Sequence, residues 1–408
     1  GKVVELFANG ASVNELTDGH QGIVILNSTP FYAESGGQSG DKGEIQVAGG
    51  TFVVADTQKL GNAVAHYGTA NGSIKIGDDV SSKIDSARRN AIKKNHSATH
   101  LIHAALRNVL GEHVGQKGSL VEADKFRFDF SHYEGVTAEQ LKEVELQVNL
   151  QIQRNLPLNT EVMAIDAAKE KGAMALFGEK YDDEVRVVTM GDYSIELCGG
   201  THVSRTGDIG LFKIISEAGI AAGVRRIEAV TGLAAIEHVH GLESVIANAA
   251  AALKSEPSAL VEKVEQSILR TKTLEKELRG LQDKMASAQG SNLSEQIKVV
   301  NGVNVLLVNL GEADPKSLRG LVDDLKNKIG SVALLLAATA NGKVSLIAGV
   351  TKDLVGKVKA GELVNVAAAE VGGKGGGRPD MAQAGGSQPD NVEHAIKAAD
   401  EFLQNKLS

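Results

Sequence analysis

Two widely separated motifs constrain the fold of this chain more than any other feature. His96 and His100 stand four apart in NHSATHLIH, residues 95–103, and Cys198 and His202 stand four apart in CGGTH, residues 198–202. The first pair lies in a segment that reads as a helix, where residues four apart project from one face. The second pair contains the only cysteine of the chain, and the two glycines inside it let the backbone fold until thiolate and imidazole converge. Three imidazoles and a thiolate make a ligand set of mixed softness that suits zinc, so the fold has to bring a helix and a distant glycine loop together.

Each pair is weak evidence by itself. Eleven histidines in 408 residues give an HxxxH pair by accident in a fair share of chains, and Ser97 follows His96 where a zincin helix carries glutamate. The bland alternative keeps Cys198 as a buried strand-end thiol and His202 as a surface residue, and it makes both pairs coincidences. His103 lies seven from His96 and would crowd the same helix face, so it is read as a packing or supporting residue beside the ligands.

A chain of 408 residues is too long for one core and predicts about two to four domains. Four segments follow from the pattern. Residues 1–85 are short β-like runs broken by glycine turns, with Gly49-Gly50 as a hairpin signal, and predict a small β-barrel-like subdomain. Residues 86–235 open with a helix over 86–110 ended by Gly111. They continue through KFRFDFS, with Phe126, Phe128 and Phe130 on one face, and predict an α+β core.

Residues 236–290 read as helical throughout, with Val261, Val264, Ile268, Leu274, Leu278, Leu281 and Met285 at coiled-coil-like spacing with one slip, as an antiparallel helical hairpin or dimer arm and not a long rod. Residues 291–408 read as a C-terminal α/β domain with a hairpin turning at Asn341-Gly342. The fold class expected is therefore multi-domain α+β.

A net charge of -8 argues against a surface that coats nucleic acid generally, so any RNA contact has to be local. One cysteine excludes an internal disulfide framework and suits a reducing cytosol. The longest apolar run, VALLLAA at 332–338, is far shorter than the ~20 residues of a membrane span, and no signal peptide opens the chain. A soluble cytoplasmic protein is expected. The chain starts at Gly1 and runs directly into strand-like VVELF, which leaves open that it is a piece of something longer.

Two glycine-rich stretches and several basic clusters stand out. FYAESGGQSGDKG, residues 31–43, places Gly36, Gly37 and Gln38 in a loop between strands; as a functional loop it offers backbone N–H groups and the hydroxyl of Thr29 just upstream. Arg88, Arg89, Lys93 and Lys94 flank the histidine motif, and Arg225 and Arg226 follow CGGTH. Either set is a solvated face or a lead-in for a phosphodiester backbone. In GGKGGGRPDMAQAGG, residues 372–386, Gly375, Gly376 and Gly377 permit close backbone approach while Lys374 and Arg378 supply charge. The stretch matches neither a P-loop nor GxGxxG, so no nucleotide is assigned.

FYAESGGQSGDKG, NHSATHLIHAALRNVLGEHVGQKGS, ELCGGTHVSRTGDIG and GGKGGGRPDMAQAGG, in that order, closely resemble the C-terminal part of bacterial alanyl-tRNA synthetases, the editing domain followed by the C-terminal domain. The first three also resemble free-standing alanyl-tRNA editing proteins, and the zinc core is shared with threonyl-tRNA synthetases. The resemblance implies hydrolysis of the ester that joins serine or glycine to the alanine tRNA. It places the zinc ligands on His96, His100, Cys198 and His202, the editing-site glutamine on Gln116, and more loosely an active-site hydroxyl on Thr29.

It further implies that 86–235 is the editing core and that the C-terminal domain, 291–408, binds tRNA(Ala) and takes part in dimerisation; with 236–290 read as a dimerisation segment, a homodimer through both is expected, and no DNA or membrane partner. No DHH triplet occurs and no aminoacylation domain is present, so neither phosphoesterase nor ligase chemistry is expected of this stretch.

Physical chemistry gives a reason for such a site. An apolar pocket rejects an analogue with one extra hydroxyl by only about 100-fold, whereas a site whose polar group is left unpaired by the wrong ligand discriminates by roughly 10⁴. Four protein ligands fill a tetrahedron, the usual sign of a structural ion. The competing reading is therefore a non-catalytic tRNA-binding and dimerisation module stapled by a structural zinc. A general zinc hydrolase is disfavoured because neither ligand motif carries an acidic residue as an evident base.

Overall fold

Glycine turns and alternating apolar residues build the start of the first unit, Gly1–Ala252. The computed structural model describes residues 1–174 and 182–408, with the side chains of 282–292 and 294 outside that description. The N-terminal segment is a seven-stranded antiparallel sheet in the order Ala11–Val13, Val3–Ala8, Gln21–Leu26, Ala63–Gly72, Gly50–Leu60, Gly43–Val47, Ser81–Ile84. One face buries Leu6, Val24, Ile45 and Phe52 in a local core. No ladder joins the two edge strands among the described residues, so the expected barrel-like closure is not seen in the pairing. The hairpin turn falls at Ala48-Gly49, with Val47 opposite Gly50, one residue before the position read from the sequence.

Helix α1, Ser86–Leu110, starts where the Asp85 carboxylate accepts the Arg88 N–H at 3.0 Å and stops at Gly111, whose φ of 115° disfavours other residues. Its middle is buried on every side, which is why histidines here are held rather than solvated. It packs on helix α2, Ala138–Gln153, and on a four-stranded sheet ordered Gln116–Val121, Phe126–Ser131, Val224–Thr231, Phe212–Ala221. Phe126, Phe128 and Phe130 point from that sheet into the shared core, each contributing about 1.5–3 kcal/mol of burial.

A second small sheet, Leu158–Ala164, Glu184–Met190, Ser194–Leu197, carries the short helix α3, Ile165–Glu170, and delivers Cys198 at the end of its last strand. Helix α4, Gly232–Ala252, closes the unit.

The second unit is Leu253–Ser408. The stretch 236–290 is not one helical run: α4 ends at Ala252 and helix α5 spans Leu260–Leu293. Between them Lys254 takes φ 51° and Pro257 opens a single 3₁₀ turn, both of which break an α-helix. On α5, Val261, Val264, Ile268, Leu274, Leu278 and Leu281 are exposed, and the side chain of Met285 lies outside the described residues.

A six-stranded mixed sheet follows, ordered Lys298–Val300, Val303–Glu312, Val332–Ala340, Lys343–Val350, Met381–Gly386, Lys374–Arg378. Its only parallel pair joins Val303–Glu312 to Val332–Ala340 across helix α6, Leu318–Ile329. Helix α6 covers one face, and helices α7, Ala360–Glu370, and α8, Val392–Leu407, cover the other. Burial on both faces explains the unbroken apolar run at 332–338. Asn341 and Gly342, φ 48° and 72°, make the expected hairpin turn. The glycine-dense stretch is not a loop but an edge hairpin, with Lys374 opposite Gly385 and Arg378 opposite Met381.

Candidate metal centre

Helix α1 presents His96 and His100 toward the loop that follows strand Ser194–Leu197, where Cys198 and His202 stand. One ligand atom from each of the four lies within 4.8 Å of all the others, so the cluster could hold a metal ion. Cys198 Sγ is 3.4 Å from His96 Nε2 and 3.3 Å from His202 Nε2. These separations fit the edges of a tetrahedron with metal–ligand bonds of about 2.0–2.3 Å, roughly 3.3–3.7 Å.

The opposite ring nitrogens are held from behind. His96 Nδ1 donates to Gln38 Oε1 at 2.7 Å, His100 Nδ1 donates to Glu196 Oε2 at 2.6 Å, and His202 Nδ1 is 3.2 Å from Ser97 Oγ. Such partners fix the tautomer that leaves Nε2 as the ligand atom. His100 Nε2 is buried and has no hydrogen-bond partner among the described residues, and the same holds for His103 Nε2; of the two only His100 has the other candidate ligands beside it. His103 stands one turn further on: its Nδ1 is 3.2 Å from the other Glu196 oxygen and its ring lies against Phe128, so it is outside the ligand set.

Charge at the cluster is tightly coupled. Burial pushes the Cys198 thiol up, but His96 and His100 together pull it well below its ordinary range. Burial opposes a charged His100, and the Glu196 carboxylate and Cys198 overcome it, leaving that imidazole well above its usual value. His202 is pushed down to about 3 by burial and by the neighbouring His96. Glu196 is drawn down to about 2 because His100 and His103 outweigh its burial. The Cys198 thiolate and the neutral His202 are protonation states that metal binding selects, whereas His100, held charged by Glu196 and Cys198, has to release the proton on Nε2 to an incoming ion.

A cavity of about 580 Å³ opens at this cluster. His96, His100 and Cys198 line it, together with Gln116, Thr99, Tyr32 and Arg186, while His202 does not. Gln116, the first residue of strand Gln116–Val121, therefore faces the space beside the ligands. Thr29 does not line it: its hydroxyl sits 2.8 Å from His66 Nε2 and accepts the Phe31 N–H at 3.2 Å.

The basic residues split. Arg88 donates to the Gly40 carbonyl at 2.7 Å and Arg89 clamps the buried Asp41, with Nε 2.9 Å from both carboxylate oxygens, so both tie the glycine-rich loop to α1. Arg225 pairs with Glu217 and Arg226 with Asp129 across the four-stranded sheet. Lys93, Lys94 and Lys374 form no ion pair among the described residues, and Arg378 pairs with Asp380 at 3.1 Å. Gly376, Gly377 and Arg378 border a second hollow of about 210 Å³ with Arg319, and Gly375 lies between them and Lys374 on the edge strand. Gly36 and Gly37 form the tip that carries Gln38 inward.

Four residues at the site went unread in the sequence: Glu196, Thr99, Arg186 and Tyr32. Glu196 had a usable signal, a charged residue between Ile195 and Leu197, two before the only cysteine. Thr99 was hidden among helix residues; its hydroxyl donates to the Asn95 carbonyl at 2.9 Å. Arg186 holds the CGGTH loop by donating to the Cys198 and Gly200 carbonyls, and Tyr32 donates to the Ser35 carbonyl at 3.0 Å.

Comparison with known proteins agrees with the order of these parts. The family model for class II tRNA synthetases (A) matches residues 1–88, that for the threonyl and alanyl tRNA synthetase second additional domain matches 185–228, and that for the DHHA1 domain matches 302–405. Two of these three matches are thus to parts of tRNA synthetases.

Alanine–tRNA ligase of Pseudoalteromonas translucida (strain TAC 125) is 60% identical over 99% of this chain and 46% of its own length. That of Idiomarina loihiensis (strain ATCC BAA-735 / DSM 15497 / L2-TR) is 61% identical over 100% and 47%. The chain belongs with the alanine–tRNA ligases, corresponds to their C-terminal part, and spans about half the length of the curated relatives it matches. The solved C-Ala domain of Aquifex aeolicus alanyl-tRNA synthetase is 30% identical over 26% of this chain and 97% of its own. Its TM-score of 0.26 is too low to speak for a shared arrangement.

Among the described residues no helix is long and apolar enough to cross a membrane.

Proposed function

We propose that the first unit hydrolyses the ester of tRNA(Ala) mischarged with serine or glycine, and that the C-terminal domain binds the same tRNA and supports a homodimer. The observation that carries this reading is the placement of three of the four candidate ligands in the wall of a cavity, beside Gln116. An ion that only staples a fold has no need of a cavity at its ligands, and about 580 Å³ has room for an aminoacyl ester.

His96, His100, Cys198 and His202 would hold Zn²⁺. When bound, it supplies Lewis acidity toward an ester carbonyl or orients a hydroxyl or amine of the substrate. The chain's own residues do the rest. Gln116 offers an amide to the reacting end, and the open side of the cavity admits the water whose oxygen replaces the tRNA hydroxyl at the ester carbonyl, the proton passing to the leaving tRNA oxygen. A seryl group pairs its hydroxyl with a polar group of the cavity that an alanyl group leaves unpaired, which is how a second site takes the seryl ester and spares the alanyl one; a glycyl group, with no hydroxyl, is outside this argument. Thr99 lines the cavity and Thr29 does not, so the hydroxyl role fits Thr99 better.

Single-turnover hydrolysis of Ser-tRNA(Ala) against Ala-tRNA(Ala) by the zinc-loaded chain tests the reading. A rate on the seryl ester well above spontaneous hydrolysis and above that on the alanyl ester is expected. A rate equal to spontaneous hydrolysis would leave the non-catalytic tRNA-binding module with a structural zinc.

A further inference from the structure

Gln38 is fully buried although it belongs to a glycine-rich surface turn. Gly36 and Gly37 take φ of 58° and 82°, the Ser35 N–H donates to the Gln38 carbonyl at 3.2 Å, and the Gln38 N–H returns to Ser35 at 3.0 Å. This is a two-residue turn whose central positions both need left-handed backbone, hence the paired glycines. Gly37 is required for a second reason: a Cβ there would stand 2.4 Å from the Ser119 carbonyl oxygen. The turn is pinned from two sides. The Val121 N–H donates to Gly37 O at 2.7 Å and the Ser39 N–H to Val121 O at 3.0 Å, while Arg88 and Arg89 hold Gly40 and Asp41 against α1.

One amide sits at the end of this rigid hairpin. Its Oε1 accepts from His96 Nδ1 at 2.7 Å and from the Thr201 N–H at 2.8 Å, and its Nε2 donates to Thr201 Oγ1 at 2.9 Å. The Thr201 N–H only donates, so it settles which end of the amide is oxygen, and that oxygen in turn requires the proton of His96 on Nδ1. Gly200 makes the approach possible: a Cβ there would meet His96 Cε1 at 2.0 Å and Gln38 Oε1 at 2.9 Å.

We propose that Gln38 is a positioning residue of the metal centre. It fixes the His96 tautomer that leaves Nε2 to the ion, and through Thr201 it sets the Cys198–His202 loop against α1, so that a turn in the connection between strands Gln21–Leu26 and Gly43–Val47 governs ligands on two other elements. The inference rests on the metal-centre reading.

The test is zinc affinity by chelator competition, with the visible spectrum of the cobalt-substituted chain, in wild type, Gln38→Met and Gln38→Glu. Methionine keeps the volume without the acceptor. Glutamate accepts the same two N–H groups and takes the Thr201 hydroxyl as a donor. Wild type binds one zinc, Gln38→Met binds roughly 10–100-fold more weakly with an altered cobalt spectrum, and Gln38→Glu stays within about threefold of wild type.

Equal affinity of a folded Gln38→Met and wild type overturns the inference alone; a wild type that binds no zinc overturns the metal centre itself. If circular dichroism shows Gln38→Met unfolded, Gln38→Glu decides: near-wild-type affinity supports the inference, and a loss of about tenfold or more with an intact fold overturns it.

Discussion

Nδ1 of His100 lies 2.6 Å from Oε2 of Glu196, and the other oxygen of the same carboxylate faces Nδ1 of His103 at 3.2 Å. A buried acid therefore orients one ligand directly and occupies the neighbouring histidine. Replacing Glu196 by Gln keeps the shape but removes the charge behind His100. Zinc affinity should fall roughly 10–100-fold while the fold persists. Chelator competition reads it, and unchanged affinity would show that the pair is merely structural.

Arg89 and Asp41 form a second buried pair, with the carboxylate almost wholly enclosed. Arg89→Ala strands that charge and should cost about 3–5 kcal/mol of stability. Arg88→Ala, which loses one bond to a carbonyl, should cost about 1 kcal/mol. Chemical denaturation measures both. A weakened tRNA affinity with unaltered stability would instead make Arg89 an RNA contact.

His66 is fully buried, donates from Nδ1 to the Val24 carbonyl at 2.8 Å and accepts the Thr29 hydroxyl at Nε2, and burial lowers its pKa from the ordinary 6.5. Below pH 6.5 the unfolded chain takes up a proton that the folded chain refuses. The contribution of His66 is thus complete above 6.5 and is lost as pH falls. His66→Gln keeps both bonds without titrating. Its stability should decline less steeply below pH 6.5 than that of wild type, by up to about 1.4 kcal/mol per pH unit. Parallel acid limbs in the two proteins would contradict this.

Lys374 and Arg378 are exposed on an edge strand whose glycines leave the backbone open. Replacing both by Ala should weaken tRNA binding and make its salt dependence shallower by up to about two counterions, read as the slope of log affinity against log salt. An unchanged slope would assign the hairpin a structural role only.

Local signals were legible in the sequence wherever they were complete within a few residues. Asp85 and Gly111 bound α1 as caps should, Asn341-Gly342 turns the hairpin, and alternation put Phe126, Phe128 and Phe130 on one buried face. The two ligand pairs were legible because helix and glycine-loop geometry each bring residues four apart together. What supports them was not. The bond from Gln38 to His96 and that from Glu196 to His100 span 58 and 96 residues, distances no periodicity encodes. The hairpin at 374–386 was missed because glycines carry no alternation, and the break after α4 was signalled only by Pro257.

The central claim is that one zinc held by His96, His100, Cys198 and His202 serves ester hydrolysis in the adjoining cavity. Zinc content and single-turnover deacylation of Ser-tRNA(Ala), measured on the same samples of wild type and Cys198→Ala, test it most directly. The account predicts one zinc per chain with rapid deacylation in wild type, and loss of both in the variant, the rate falling by about 100-fold or more. Full deacylation by Cys198→Ala without bound metal would contradict it.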